Sequence, residues 1–229
     1  MEAVNFMALE IYWASGSAPA WRVLLTLAVK GVPYESKLLQ FSKRENRAPE
    51  YLAISPRGKV PAMRDGSFTL SESLAIMAYL ERKHPSPALF GETAEETGTI
   101  WRVLCEHDNY IFPAIQAVAR PILFSNPQGE DKSAEIKEAA TTAHEELARL
   151  DAALAKEPWL ASGRLSAADL GAFPTLKLLL RAAGKPIAEP LNLGFAPLEE
   201  RYPNLAAWSA RIEALPGYEA TYPPHWREG

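Results

Sequence analysis

Three short stretches in the first third of the chain bring together hydroxyls, a carboxylate and free backbone groups suited to an anionic or peptide-like ligand. The first is Ser15-Gly16-Ser17-Ala18-Pro19-Ala20-Trp21-Arg22-Val23. A small polar loop feeding a helix start offers backbone N–H groups and the positive end of the helix dipole to an anion, and Pro19 suits the first helical turn. The Ser17 hydroxyl has two uses there: capping the helix as an acceptor, or donating a hydrogen bond to a bound thiolate. The second stretch is Lys59-Val60-Pro61-Ala62. X-Pro is the one bond where cis is readily tolerated, and a cis turn would leave the N–H and C=O of Val60 free for a peptide-like ligand. A trans proline at a strand edge is the alternative. The third, Leu70-Ser71-Glu72-Ser73-Leu74-Ala75-Ile76, groups a carboxylate with the N–H and hydroxyl of Ser73. That set suits the amino and carboxylate groups of an amino acid, and equally the acidic, capped first turn of a helix.

The elements that must hold these stretches follow from the pattern around them. Residues 8–13 are short, apolar and β-prone, and 19–30 carry Val23, Leu24, Leu27 and Ala28 at helical spacing before Gly31 and Pro33. A second strand is expected at 34–39, and a loop plus helix at 42–54. A hairpin over 60–70 turns at Asp65-Gly66, and an amphipathic helix runs over 71–83. The order βαβαββα predicts a small mixed sheet flanked by helices. Beyond His84-Pro85-Ser86-Pro87 the strand signals vanish, and helices are expected over 94–124, 133–156, 166–183 and 204–215. The expected division is a mixed α/β domain over 1–83, a linker at 84–92 and an all-α domain over 93–229. Within the latter, Leu165-Ser166-Ala167-Ala168-Asp169-Leu170 reads as a capping box with a hydrophobic staple, a structural device for a core helix.

Composition narrows the function. The 229 residues, 48% hydrophobic and 23% charged, describe a globular chain with a real core rather than a disordered one. One cysteine, Cys105, excludes an internal disulfide, a CxxC pair and a zinc site built on two thiolates; a small buried side chain is expected there. The net charge of -4 with scattered basic residues argues against a nucleic-acid surface. No apolar stretch approaches the ~20 residues of a membrane span, and the start lacks the pattern of a signal peptide. A soluble cytoplasmic protein is the expectation.

In this order and spacing the motifs resemble the cytosolic glutathione transferase superfamily, serine-type (theta- or zeta-like), over about Leu9 to Pro216. The resemblance rests on Ser17 before Arg22-Val23, on Lys59-Val60-Pro61-Ala62, on Glu72-Ser73-x-Ala75-Ile76 and on the Ser166-x-Ala168-Asp169 cap. A final helix with Pro203, Leu205, Trp208, Ile212 and Pro216-Gly217 also looks like the family's. It implies a thioredoxin-like first domain, an all-helical second one, and attack of a glutathione thiolate on a small hydrophobic electrophile. Pro61 would be cis, Val60 would pair with the cysteinyl unit, and Glu72 and Ser73 would hold the γ-glutamyl end. Lys59 would lie near the glycine end, with Lys43, Arg44 or Asn46 helping. Ser17 would stabilise the thiolate, with Ser15 as second choice. Ala18, Pro19 and Ala20 stand where the zeta-class motif has its serine pair and cysteine, and the loop lacks the cysteine of the beta and omega classes. Electrophile contacts are expected from Trp101, Cys105, Asp108, Phe112 and Trp226, near Phe124 and Phe173. A homodimer is implied, formed through residues flanking 71–82 and the helix from Ala94, with no metal. Other readings are a non-catalytic glutathione-binding or dimeric interaction protein, or a glutathione-dependent isomerase, dehalogenase or disulfide reductase.

Overall fold

The computed structural model describes residues 9–124 and 131–227. Ala8, the first residue of the expected opening strand, lies outside them. From Ala20 to Leu27 every residue is buried, so the helix α1 (Ala18–Lys30) is apolar all round and sits at the centre of its unit. The elements around it are β1 (Glu10–Trp13), β2 (Glu35–Leu38), α2 (Pro49–Leu52), β3 (Ala62–Asp65), β4 (Phe68–Ser71) and α3 (Ser73–Lys83), with 3-10 turns at Phe41–Lys43 and Glu45–Arg47. This is the expected βαβαββα order, with elements beginning or ending one or two residues away.

The sheet order is β2-β1-β3-β4, with β1 parallel to β2 and antiparallel to β3. Ile11 lies opposite Met63, and both are fully buried. Alternation then turns Glu10 and Tyr12 to the other face, where Glu10 accepts hydrogen bonds from Tyr12 Oη and Arg64 Nε. The Arg64 bond is the main reason the Glu10 carboxyl is held below its usual range.

A second unit begins at Leu89 and ends at Ala214. It contains α4 (Ala94–Glu106), α5 (Phe112–Leu123), α6 (Ser133–Leu154), α7 (Ala167–Ala183), α8 (Leu198–Arg201) and α9 (Pro203–Glu213). The single helix expected over 94–124 is interrupted by a π turn at His107–Ile111. Pro113 explains it: with no N–H, it cannot complete the ladder of the preceding turn. At the start of that turn His107 is buried, with Nδ1 2.8 Å from Asp108 Oδ1 and Nε2 2.9 Å from Thr175 Oγ1.

The expected capping box is present at the start of α7. Asp169 does more than cap: Oδ2 accepts from Ser166 N and Oγ, and Oδ1 accepts from Leu160 N and Trp208 Nε1. Burial pushes its carboxyl above the usual range against the pull of those four donors.

The chain divides differently from the expected cuts. The segment from Leu215, including α10 (Tyr218–Thr221) and a 3-10 turn at Pro224–Trp226, belongs with the first unit rather than with the helical one. Trp21 is the reason. Its Nε1 donates to Thr221 Oγ1 at 2.9 Å, and the rings of Tyr218, Tyr222 and Trp226 lie 5.5 to 6.1 Å from it. The first unit also extends into the expected 84–92 linker as far as Ala88. Lys30 Nζ, fully buried, donates to His84 O and Pro87 O and pairs with Glu81. Asp169→Ala strands four donors in the core and should cost about 3–5 kcal/mol, read as a lower midpoint in chemical denaturation.

Candidate functional site

Strand pairing carries the three chemical stretches to one end of the sheet. Ala62 lies opposite Tyr12 on β1 and opposite Ser71 on β4. The residues just before Ala62, just after Ser71 and just after Trp13 therefore all leave the sheet on the same side. Val60-Pro61, Glu72-Ser73 and the Ser15–Ser17 loop are those residues. The 39–47 segment joins them, because β2 runs parallel to β1 and Leu39 N donates to Trp13 O at 2.8 Å.

Ser17 is the N-cap of α1, and its Oγ accepts from Ala20 N at 3.3 Å. A hydroxyl has one proton and two lone pairs. Capping uses a lone pair, and among the described residues the Ser17 proton has no acceptor. Both uses weighed for Ser17 are thus compatible. Ser15 differs: its Oγ is 2.5 Å from His225 Nδ1.

The Val60–Pro61 peptide is cis, and among the described residues neither the N–H nor the C=O of Val60 is hydrogen-bonded. The loop before it is clamped. Lys59 O accepts from Tyr51 Oη at 2.5 Å and Ser55 Oγ at 2.9 Å, and Asn46 Nδ2 donates to Gly58 O at 2.9 Å. Gly58 sits at φ +60°, and a Cβ there would come 2.7 Å from Asn46 O. Burial pushes the Tyr51 phenol up to about 12, so it stays a donor at any physiological pH. The side chains of Lys43, Arg44 and Lys59 are exposed.

Glu72 stands at φ +73°, exposed, at the head of α3, and its side chain makes no cap bond. A non-glycine residue held at positive φ costs stability and marks functional sites disproportionately. Next to it, Ser73 is buried and its Oγ accepts from Arg22 Nε at 2.8 Å, which again leaves the hydroxyl proton for another partner. Arg22, Tyr51 and Ser55 are the residues that sequence reasoning missed as parts of the site. Arg22 had a signal, a charge inside an otherwise apolar helical run, where burial requires a partner. Tyr51 and Ser55 had none.

The expected electrophile residues do not all gather. Trp101, Cys105, Asp108 and Phe112 keep a helical spacing of four, three and four along α4, the π turn and the start of α5. Trp101 lies 5.3 Å from Phe90. Cys105 is exposed, not buried as expected, because it falls on the opposite side of α4 from Val103 and Leu104. Phe173 is fully buried against Trp208 and is core, while Phe124 is 80% exposed. Trp226 belongs to the first unit, packed on Trp21. A cleft of about 560 Å³ in the helical unit is lined instead by Arg102, Val103, Glu106, Tyr110, Glu146 and Arg149, among others. Among the described residues no group of three or more His, Cys, Asp or Glu side chains could hold a metal ion. None of the described helices is long and apolar enough to cross a membrane.

Residues 16–83 match the family model of the glutathione S-transferase N-terminal domain, and 133–211 match that of the C-terminal domain. The chain belongs to the glutathione S-transferase family. Glutathione S-transferase F10 of Arabidopsis thaliana is 37% identical over 182 residues, covering 78% of this chain and 84% of that protein. The crystal structure of a glutathione S-transferase from the Antarctic clam Laternula elliptica superposes with a TM-score of 0.80 at 30% identity, covering 97% of this chain and 95% of the other. Glutathione S-transferase-I bound with lactoylglutathione superposes at 0.79 and 27% identity, covering 93% and 98%. Membership makes glutathione the co-substrate and glutathione transfer the activity, and it identifies the first unit's sheet as the thioredoxin-like one.

In this glutathione S-transferase Glu72 should trade stability for binding. Glu72→Gly relieves the positive φ and should hold or raise stability by up to about 1 kcal/mol. On the reading that Glu72 holds the γ-glutamyl end of glutathione, the same change weakens glutathione binding tenfold or more. Thermal unfolding and calorimetric titration on one sample read both effects.

Proposed function

We propose that the chain is a serine-type transferase in which glutathione lies along the sheet end, with its cysteinyl unit on the Val60 backbone and its γ-glutamyl end on Glu72 and Ser73. Lys59, with Lys43 or Arg44, meets the glycine carboxylate. Asn46 acts differently from that expectation, by holding the Gly58 carbonyl.

Ser17 donates its uncommitted proton to the glutathione sulfur. A free thiol near ~8.5 is only a few per cent thiolate at neutral pH. One hydroxyl donor beside the N-terminus of α1 lowers that by about one to two units, each worth about 1.4 kcal/mol. The thiolate then attacks a carbon of a small hydrophobic electrophile, the new C–S bond forming as the leaving group departs or the acceptor carbon takes up charge. A cytoplasmic homodimer completes the reading.

The observation that carries it is the half-used hydroxyl: Ser17 caps α1 with its oxygen and keeps its proton, at the sheet end it shares with an unpaired Val60 backbone. Ser17→Ala should raise the pH midpoint for thiolate formation by about one to two units, lower kcat/KM at neutral pH by about ten- to a hundredfold, and weaken glutathione binding at neutral pH several-fold. An unmoved pH profile transfers the role to Ser15 or to backbone amides.

A further inference from the structure

The turn at Pro224–Trp226 reaches the loop that carries Ser17. Ala14-Ser15-Gly16-Ser17 is a β-turn closed by Ser17 N donating to Ala14 O at 3.1 Å, with Gly16 at φ +78° in its third position. Its corner is occupied from outside. His225 Nδ1 lies 2.5 Å from Ser15 Oγ. A Cβ on Gly16 would lie 2.8 Å from His225 Cε1 and 2.9 Å from Trp226 Nε1. The turn that presents His225 has its own anchors. Trp226 stands edge-on to Trp21 at 5.5 Å and to Tyr222 at 6.1 Å, and Arg227 Nη2 donates to Glu219 O at 2.9 Å and to Glu219 Oε2 at 2.8 Å. His225 therefore holds the loop rather than being held by it.

We propose that His225 is a positioning residue for the thiolate site. Its Nδ1 accepts the Ser15 hydroxyl proton, which fixes the β-turn and engages one of the two loop serines. Ser17, at the fourth position of that same turn, is left as the hydroxyl with a free proton for the glutathione sulfur. The proposal rests on the Ser17 reading and adds the residue that keeps the two serines in separate roles. A site tuned by one hydroxyl needs that hydroxyl held within a fraction of an ångström, and a neighbour with locked geometry supplies this.

Ultraviolet titration of the thiolate of bound glutathione, on the full chain, tests it. His225→Ala should raise the midpoint by about half to one pH unit and weaken glutathione binding several-fold. His225→Asn, which keeps an acceptor oxygen near the Nδ1 position, should restore both to within twofold. Ser15→Ala should reproduce His225→Ala, and the double variant should be no worse than either single one, as for two partners in one bond. If His225→Ala fails to fold, Ser15→Ala removes the same bond from the other side and carries the test. A His225→Ala profile identical to wild type overturns the proposal, as do additive effects in the double variant. A merely structural role would lower the melting temperature and leave the titration unmoved, which also overturns it. Nitrogen NMR of His225 without glutathione must show Ser15→Ala moving the Nδ1 signal; an unmoved signal counts against the contact. A wild-type chain that forms no glutathione thiolate overturns the Ser17 reading itself, and that failure is separable from a silent His225→Ala in a wild type that does form it.

Discussion

The pairing of β3 between β1 and β4 is the constraint on which the rest of the first unit depends. Because side chains alternate along a strand, a slip of one residue at Ala62 would turn Met63 out of the core. The same slip would carry Pro61 away from Glu72 and from the loop after Trp13. Burial thus enforces site geometry: the apolar contact of Ile11 with Met63 sets the register, and the register sets which chain ends meet. The clamp on Lys59 O by Tyr51 and Ser55 then holds the approach to Val60, whose backbone N–H and C=O have no hydrogen-bond partner among the described residues.

A shared economy of hydroxyl groups runs through the site. Ser17 and Ser73 both take a hydrogen bond on oxygen, from Ala20 N and Arg22 Nε, while among the described residues neither proton has an acceptor. A hydroxyl fixed through its oxygen is aimed yet able to donate, which is what stabilising an anion requires. Ser15 contrasts with them, since His225 engages it directly. Two serines two positions apart thus have different partners, and this distinguishes them although their side chains are the same.

Much of this was legible in the sequence. The element order followed from helical spacing and the hairpin turn, and the three chemical stretches stood out by residue type. What escaped were contacts between residues far apart in the chain. Trp226 reads as one more aromatic in a helical region, and only the fold shows it beside Trp21, some two hundred positions earlier. Tyr51 and Ser55 sit in a polar stretch with nothing to indicate that both reach the Lys59 carbonyl. The π turn was concealed because His107–Ile111 has ordinary helical composition, and its cause, Pro113, lies just beyond it. Cys105 was misjudged because small apolar residues are usually buried, whereas its angular position on α4 turns it outward.

The return of the final segment to α1 has a temporal side. Synthesis runs from the amino end, so Trp21 emerges long before Thr221, Tyr222 and Trp226, with all of the helical unit made in between. Until residues 215–227 are made, Trp21 lacks the Thr221, Tyr222 and Trp226 partners it has in the folded chain. Completion of the sheet unit thus follows synthesis of the helical one: residues 215–227 can pack on α1 only after residues 89–214 have been made.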